Sequence, residues 1–381
     1  MVRVVNKFEN QQSVFSVENF ISAKYFNESM INKMKIEHEL LHASQKWKRP
    51  VQFGCWNSTG ILLACGKPQK GVQVFTPFRN FEATCVPVQR DHRMTDAVFM
   101  PKHPSSMVVS SRNLDSYLYS SESKPDDYVK VWDVEAGVLT RKYRMKGVVK
   151  KLATSTSLPD HFWFNVDRNA QKLAETDTRT TSLNIIKLGK VQRQPSFINW
   201  RSFDVNPVDE KTIAVGDLSK LVLYDRRMTR SSAESQPTKI VDISPLNTYD
   251  SFLVNVKYNP GGDKLILTSS LSFNIHQYVV PAAGPSIRNM RPLLLGNHTA
   301  AVTKNPSFLG ENHLLFDTEF RNYAVVFNLE DARHVGNINI LGNKKKYSSS
   351  CNMPHPTCCL IASASKNKIS FISPALDLVQ Y

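Results

Sequence analysis

Short β-prone runs recur along this chain at a nearly constant interval, and that interval limits the possible folds more than any single motif does. Residues 203–227 read FDVNPVDEKTIAVGDLSKLVLYDRR. The run Phe203-Asp204-Val205 stops at Asn206-Pro207, Thr212-Ile213-Ala214-Val215 at Gly216-Asp217, and Leu221-Val222-Leu223-Tyr224 at Asp225. Apolar runs of this length between such breaks are strands joined by tight turns. Three strands cannot bury both faces alone, so the unit needs siblings. From the first turn to the end of the third strand is 17 residues in Pro207–Tyr224, Pro159–Thr176, Pro260–Gln277 and Ser58–Phe75, 16 in Pro356–Ile372, 21 in Pro306–Phe327 and 28 in Pro104–Trp132. The third strands end at 75, 132, 176, 224, 277, 327 and 372, in steps of 57, 44, 48, 53, 50 and 45. Seven units with a period of about fifty residues are the pattern of a β-propeller. The expected class is all-β: a seven-bladed WD-repeat β-propeller with a short N-terminal helical segment. Trp132-Asp133 is the chain's one WD dipeptide.

The expected organisation is an arm over 1–34 and the propeller over 35–381. In the arm, Phe20, Ile21, Tyr25, Met30 and Ile31 recur at mixed helical spacings, and Asn27 or Ser29 is placed to cap a helix with Glu28 in its first turn. Two roles are open for this segment: a plug on the propeller's edge, or a docking helix presenting Phe20, Ile21, Tyr25, Met30 and Ile31 to a partner. Lys35–His42 reads as a strand. A strand from this side pairs with the last blade and closes the ring, removing two open sheet edges.

A net charge of +15 in 381 residues makes an acidic partner or a nucleic acid plausible. The densest basic run is Arg141-Lys142-Tyr143-Arg144-Met145-Lys146, followed by Lys150-Lys151. It reads either as a phosphate grip or as the solvated outer edge of a blade. The six cysteines show no paired framework, which fits reduced thiols in an intracellular protein. Cys351, His355, Cys358 and Cys359 cluster, but not at a usual zinc spacing, so neither a metal nor a cofactor is expected. No apolar stretch is long enough for a membrane span, and the N-terminus has no signal-peptide pattern. Lys344-Lys345-Lys346 reads as a turn or a weak nuclear signal, and a nuclear or cytoplasmic location is expected. No nucleophile elbow, zinc-protease or P-loop motif is present, and a non-enzymatic role is expected.

Two turns differ from the rest. The third unit ends Thr176-Asp177-Thr178-Arg179 and the fourth Tyr224-Asp225-Arg226-Arg227. Each places an arginine two residues after the aspartate that closes the third strand. In consecutive blades the two arginines are expected on one face. A guanidinium suits an interface because its planar fork makes paired hydrogen bonds to carboxylates and carbonyls. The local alternative is that each arginine pairs with an acid of its own or the next blade.

Asp-x-Arg ending consecutive blades resembles the motif by which WD-repeat substrate receptors, the cullin-4-associated factors, dock on the adaptor of cullin-4 RING ubiquitin ligases. The stretch from Arg144 through Phe162-Trp163 to Asp177-Thr178-Arg179 resembles the third blade of the WD and tetratricopeptide repeat (adipose-type) receptors. Phe203–Pro207 with Ala214-Val215-Gly216 and Tyr224–Met228 resembles their fourth. Lys24-Tyr25-Phe26 to Leu41, with Trp56–Ala64, resembles their N-terminal approach and first blade, and Pro354-His355-Pro356 with Ile361-Ala362-Ser363 their last. Thr176 stands where the family has an aromatic residue. The resemblance covers only the propeller part of those receptors. It implies docking through Asp177, Arg179, Tyr224, Asp225 and Arg227 to the ligase adaptor, the large subunit of the damage-specific DNA-binding complex. It also implies capture of an as yet unidentified protein substrate elsewhere. The rival reading is a WD-repeat scaffold, outside any ligase, that binds chromatin, RNA or other acidic partners through its positive charge.

Overall fold

The computed structural model describes residues 28–31, 33–41, 51–67, 71–78, 83–87, 92–113, 127–145, 149–166, 172–188, 202–217, 220–230, 235–242, 253–269, 275–279, 290–293, 306–317, 323–340, 351–364 and 368–374. They form one short α-helix, α1 (Glu28–Ile31), one 3-10 helix (Arg226–Arg230) and twenty-eight strands in seven four-stranded antiparallel sheets. The fold is a seven-bladed β-propeller.

After α1, strand β1 (Met34–Leu41) pairs antiparallel with the chain's last strand. Blade 1 is β2 (Phe53–Trp56), β3 (Leu63–Lys67), β4 (Gly71–Phe75) and β5 (Ala83–Val86). Blade 2 is β6 (His92–Phe99), β7 (Ser106–Asn113), β8 (Asp127–Asp133) and β9 (Val138–Met145). Blade 3 is β10 (Leu152–Thr154), β11 (His161–Asn165), β12 (Lys172–Asp177) and β13 (Asn184–Lys187). Blade 4 is β14 (Ser202–Val205), β15 (Thr212–Asp217), β16 (Lys220–Asp225) and β17 (Lys239–Asp242). Blade 5 is β18 (Leu253–Tyr258), β19 (Lys264–Ser269), β20 (Ile275–Val279) and β21 (Met290–Leu293). Blade 6 is β22 (Ser307–Leu309), β23 (His313–Asp317), β24 (Tyr323–Asn328) and β25 (Arg333–Asn339). Blade 7 is β26 (Cys351–Pro354), β27 (Ile361–Ala364) and β28 (Lys368–Pro374), with β1 as its fourth strand.

The middle strands are buried on both faces, which is why they read as continuous apolar runs: Leu221 to Tyr224 in β16 and Ala324 to Phe327 in β24 are all buried. The outer strands face solvent on one side and alternate instead, as in β13 and β17, where one residue of four is buried. The sequence reading placed three strands per unit and left these mixed, charged fourth strands unassigned.

The chain divides into two compact units: one built on blades 1, 6 and 7 (Met1–Lys67, Gln73–Cys85, Leu293–Tyr381) and one on blades 2 to 5 (Pro68–Val72, Val86–Pro292). In the first unit, Ile31 of α1 is 2% exposed and packs with Met34, Ile338, Ile340, Cys359 and Ile372, with Met30 partly buried beside it. The described part of the helical segment is therefore a plug, and Ile31 is not available to a partner. Phe20, Ile21 and Tyr25 lie outside the described residues. Blades 1 and 7 are joined by Trp56 Nε1 donating to Met353 O (2.8 Å) and by His355 Nε2 at 3.0 Å from Gly60 O. His355 Nδ1 faces the backbone N–H groups of Thr357 and Cys358, at 3.2 and 3.1 Å, and so accepts. The ring is neutral with its proton on Nε2, and burial pushes its pKa down to about 4. Both ring nitrogens of this member of the Cys351–Cys359 cluster are thus engaged by backbone groups, and no group of three His, Cys, Asp or Glu among the described residues is arranged to hold a metal ion. No helix among the described residues is long and apolar enough to cross a membrane.

Candidate protein-interaction site

In a four-stranded antiparallel meander the turns after the first and third strands lie at the same end of the sheet. In blades 2 to 5 this end carries both Asp-x-Arg turns, and adjacent blades are stitched together here by polar bonds. Lys102 Nζ and His103 Nε2 of blade 2 reach the two carboxylate oxygens of Asp160 in blade 3, at 3.2 and 3.0 Å. Ser155 Oγ donates to Asn206 O (2.8 Å) and Thr156 Oγ1 to Pro207 O (2.6 Å), linking blade 3 to blade 4. Asn206 Nδ2 donates to Gly262 O (2.9 Å), linking blade 4 to blade 5.

The turn after the third strand has one local design in blades 2, 3, 4 and 6. An Asp or Asn side chain at the strand's end accepts the backbone N–H two residues on, an Asx turn that fixes the direction of the residue presented there. Asp133 accepts from Glu135 N (3.1 Å), Asp177 from Arg179 N (2.8 Å), Asp225 from Arg227 N (2.9 Å) and Asn328 from Glu330 N (2.8 Å). The presented residue is glutamate in blades 2 and 6 and arginine in blades 3 and 4. The arginine side chains return to their own aspartates: Arg179 Nη2 to Asp177 Oδ2 and Arg227 Nη2 to Asp225 Oδ2, each at 2.6 Å. This pairing holds the Asp177 carboxyl down at about 2 and likewise depresses Asp225. The local alternative is therefore satisfied within each turn. The two side chains nonetheless remain 65% and 61% exposed, and Nη1 of each is outside these bonds. Arg179 Nη1 also comes within 3.9 Å of Asp160.

The turns are braced from behind. Arg141 of β9 donates from Nε to Thr178 O (2.7 Å) and from Nη2 to Arg179 O (3.3 Å), and Tyr143 Oη donates to Thr180 O (3.2 Å). Blade 2 thus grips the blade 3 turn by its carbonyls. Arg226, the middle residue of the second motif, points inward and pairs with Glu175 of β12: Nη2 to Oε1 at 2.5 Å and Nε to Oε1 at 2.7 Å, with both side chains at least nine-tenths buried. Beside the first turn lies a polar cleft of about 410 Å³, lined by His161, Glu175, Thr176, Asp177, Thr180, Ser182 and Asn184. In the second, Met228 is 69% exposed, and Val208, in the turn after the first strand of the same blade, is 61% exposed; they are the two most exposed large apolar residues among those described.

Of the predicted docking residues, Arg179 and Arg227 are presented and Asp177 and Asp225 orient them. Tyr224 is not at the surface: it is 1% exposed, packed with Trp163, Phe203 and Ile213 in the core between blades 3 and 4. The side chains of a strand alternate between its faces, and the Tyr224 side faces that core. Thr176, at the matching place in blade 3, is also buried and donates from Oγ1 to Ser182 O (3.0 Å). Sequence reasoning missed the partners of Glu175, the bracing role of Arg141 and the inward role of Arg226, because those partners lie 37 to 51 residues away.

The basic run is corrected in another respect. Lys151 lies on neither an outer edge nor a phosphate grip. It immediately precedes the innermost strand of blade 3, and its ammonium donates to Ser202 Oγ (3.2 Å), Asn255 Oδ1 (3.1 Å) and Val256 O (3.2 Å). It belongs to a polar belt that satisfies the open inner edges of these blades: Asp96 Oδ2 accepts Leu152 N, Ser202 Oγ accepts Val256 N, and Asp204 Oδ2 accepts Tyr258 N, at 2.9, 3.0 and 2.9 Å. Burial pushes the Asp96 carboxyl up to about 6 and raises Asp204, against the pull of Lys151; burial lowers Lys151, against the pull of the two carboxylates.

No protein-family model and no curated protein sequence matches this chain. Among solved structures, the chain is similar to the β-propeller domain of Cps50 (Swd1) from Myceliophteria thermophila. The TM-score is 0.64 at 12% identity, over 89% of this chain and 99% of that one. A likeness at that identity establishes the propeller fold and leaves function to the site.

Proposed function

We propose that this propeller is a protein-interaction module that serves as a substrate receptor of a cullin-4 RING ubiquitin ligase, docking on the ligase adaptor through Arg179 and Arg227. One observation carries the reading: consecutive blades present a largely exposed arginine from the same Asx turn, where blades 2 and 6 present glutamate. A rigid platform suits docking, because little side-chain and loop entropy is lost on binding. Arg227 is followed in the chain by exposed Met228, a charged fork next to an apolar side chain, which is the anatomy of an interface hot spot. In this role the protein performs no chemistry. It raises the effective concentration of a bound target near a charged ubiquitin, in the nucleus or cytoplasm.

The test is capture of the purified adaptor by immobilised protein. Wild type should capture it, and Arg179→Ala with Arg227→Ala should abolish capture while leaving the melting temperature essentially unchanged. A wild-type protein that never retains the adaptor would sink the receptor reading and leave the non-ligase scaffold.

A further inference from the structure

On blade 2, Lys130 of β8 and Lys142 of β9 stand directly opposite each other across the strand pair, and Tyr128 stands opposite Arg144. Directly paired side chains lie on one face with Cβ atoms about 5 Å apart, where like charges repel. Both ammonium groups lean over one ring: Lys142 Nζ is 3.9 Å and Lys130 Nζ 5.7 Å from the centroid of Tyr128. A tyrosine face attracts a cation, but two cations on it still repel each other. Neither lysine is within ion-pair distance of a carboxylate among the described residues. Lys142 and Arg144 are exposed, and Lys130 is half-buried. Burial and the facing Lys142 both push the Lys130 pKa down. The sheet thus holds three cationic side chains in a strand-spaced group of which two have no counter-charge among the described residues, an arrangement that an anion between them would relieve.

We propose that Lys130, Lys142 and Arg144, ordered around Tyr128, form a binding site for the phosphate groups of a nucleic-acid backbone. The class of ligand follows from the residue types. Lysine is a point charge that binds phosphate without directional demands. It is depleted at protein–protein interfaces, which favour arginine and aromatic anchors of the kind found on the other site. The Tyr128 ring is covered by lysine, so no base stacks on it, and binding is to the backbone without sequence preference. The site is independent of adaptor docking, being built on different strands and needing neither Arg179 nor Arg227.

The test is fluorescence anisotropy with labelled oligo-uridine, oligo-thymidine and a random duplex, across a potassium chloride series. Wild type should bind all three, with an affinity that falls steeply with salt. Lys130→Gln with Lys142→Gln should weaken binding and lower the slope of log K against log salt by about 1.4 on the single strands, two phosphate contacts at about 0.7 each. Lys172→Gln with Lys187→Gln removes the same charge from an opposed lysine pair of blade 3 and should leave the slope unchanged. Arg179→Ala with Arg227→Ala should do likewise. The proposal is overturned if wild type binds none of the probes at low salt, or if both lysine pairs lower the slope equally. It is overturned too if polyglutamate of matched charge competes as well as oligo-uridine. Binding to all three probes indicates a generic backbone site, and binding to one strand type alone identifies the source, each with the Lys130/Lys142 dependence intact.

Discussion

Arg226 and Glu175 form a buried ion pair across neighbouring blades, 2.5 Å between Nη2 and Oε1, though the residues on either side of Arg226 belong to the turn that faces solvent. The pair ties the base of one arginine turn to the strand that carries the other. Breaking such a pair leaves a buried charge without its partner, whereas replacing both partners with apolar groups of similar volume is often tolerated. Arg226→Met should therefore destabilise by about 3–5 kcal/mol, and Arg226→Met with Glu175→Leu should recover much of that loss. Chemical denaturation of the three proteins checks this. A single variant as stable as wild type would show that the pair contributes little.

Arg179 and Arg227 make the opposite case. Their pairing with Asp177 and Asp225 is solvent-exposed and so screened and weak. Replacing either by alanine should leave the melting curve unmoved while removing partner contacts. A loss of stability comparable to that of Arg226→Met would mean that these side chains hold the turn rather than serve an interface.

Lys151 should behave as a strut. Its ammonium serves acceptors on blades 4 and 5 and lies near Asp96 and Asp204. Lys151→Met strands these acceptors and leaves two inward carboxylates less compensated, at a loss of about 3 kcal/mol or more. Lys150→Met, one residue away, should lose far less. Equal effects at the two positions would refute the assignment of Lys151 to the belt.

Two groups give the stability curve opposing slopes in mildly acidic solution. The folded pKa of His355, about 4, lies below its unfolded value of 6.5, so its contribution is present above about pH 6.5 and is lost as pH falls toward 4. Asp96, at about 6 against 3.8, has the reverse sign: the folded state binds the extra proton, so stability falls as pH rises from about 4 to 6. Each amounts to about 3 kcal/mol at most, from shifts of about two units or slightly more. Relative to wild type, His355→Gln should tilt the stability-versus-pH curve downward with rising pH over this window, and Asp96→Asn should tilt it upward. Urea titrations at pH 4, 5, 6 and 7 read both tilts, and a tilt of the wrong sign rejects the corresponding assignment.

Gly60 has φ +73°, and a Cβ there would collide with the His355 ring. The left-handed backbone alone costs a non-glycine residue about 1–3 kcal/mol. Gly60→Ala should exceed that loss, because the ring is held on both nitrogens and cannot move aside. Gly137 also has a positive φ but open space around it, so Gly137→Ala isolates the backbone contribution. Similar losses at the two sites would show that the collision is relieved.

Much of the fold was legible because its signal is local. The apolar runs that became β11, β15, β16 and β24 are continuous stretches, and turn residues such as Asn206-Pro207 punctuate such runs within two residues of the observed ends. The outer strands were not legible: β13 and β17 are each a single apolar pair between two polar residues, and a run that short does not stand out from a loop. The site was legible in part for the same reason. Asp-x-Arg is a turn motif whose hydrogen bonds close within two residues, so its repetition in consecutive blades could be read directly.

What the sequence alone determined, then, is the period, the number of blades, the inner strands and the two presented arginines, all properties of contiguous residues. The tertiary structure decided where each long charged side chain goes. Arg226 and Arg227 are adjacent and chemically identical, yet one is buried against a glutamate 51 residues away and the other faces solvent. Lys151 ends among inner-strand acceptors, while Lys142, nine residues earlier, lies over a tyrosine on an outer strand. Successive side chains point in opposite directions, and what each meets depends on the neighbouring blade, whose residues lie about fifty positions away and leave no mark on the local pattern.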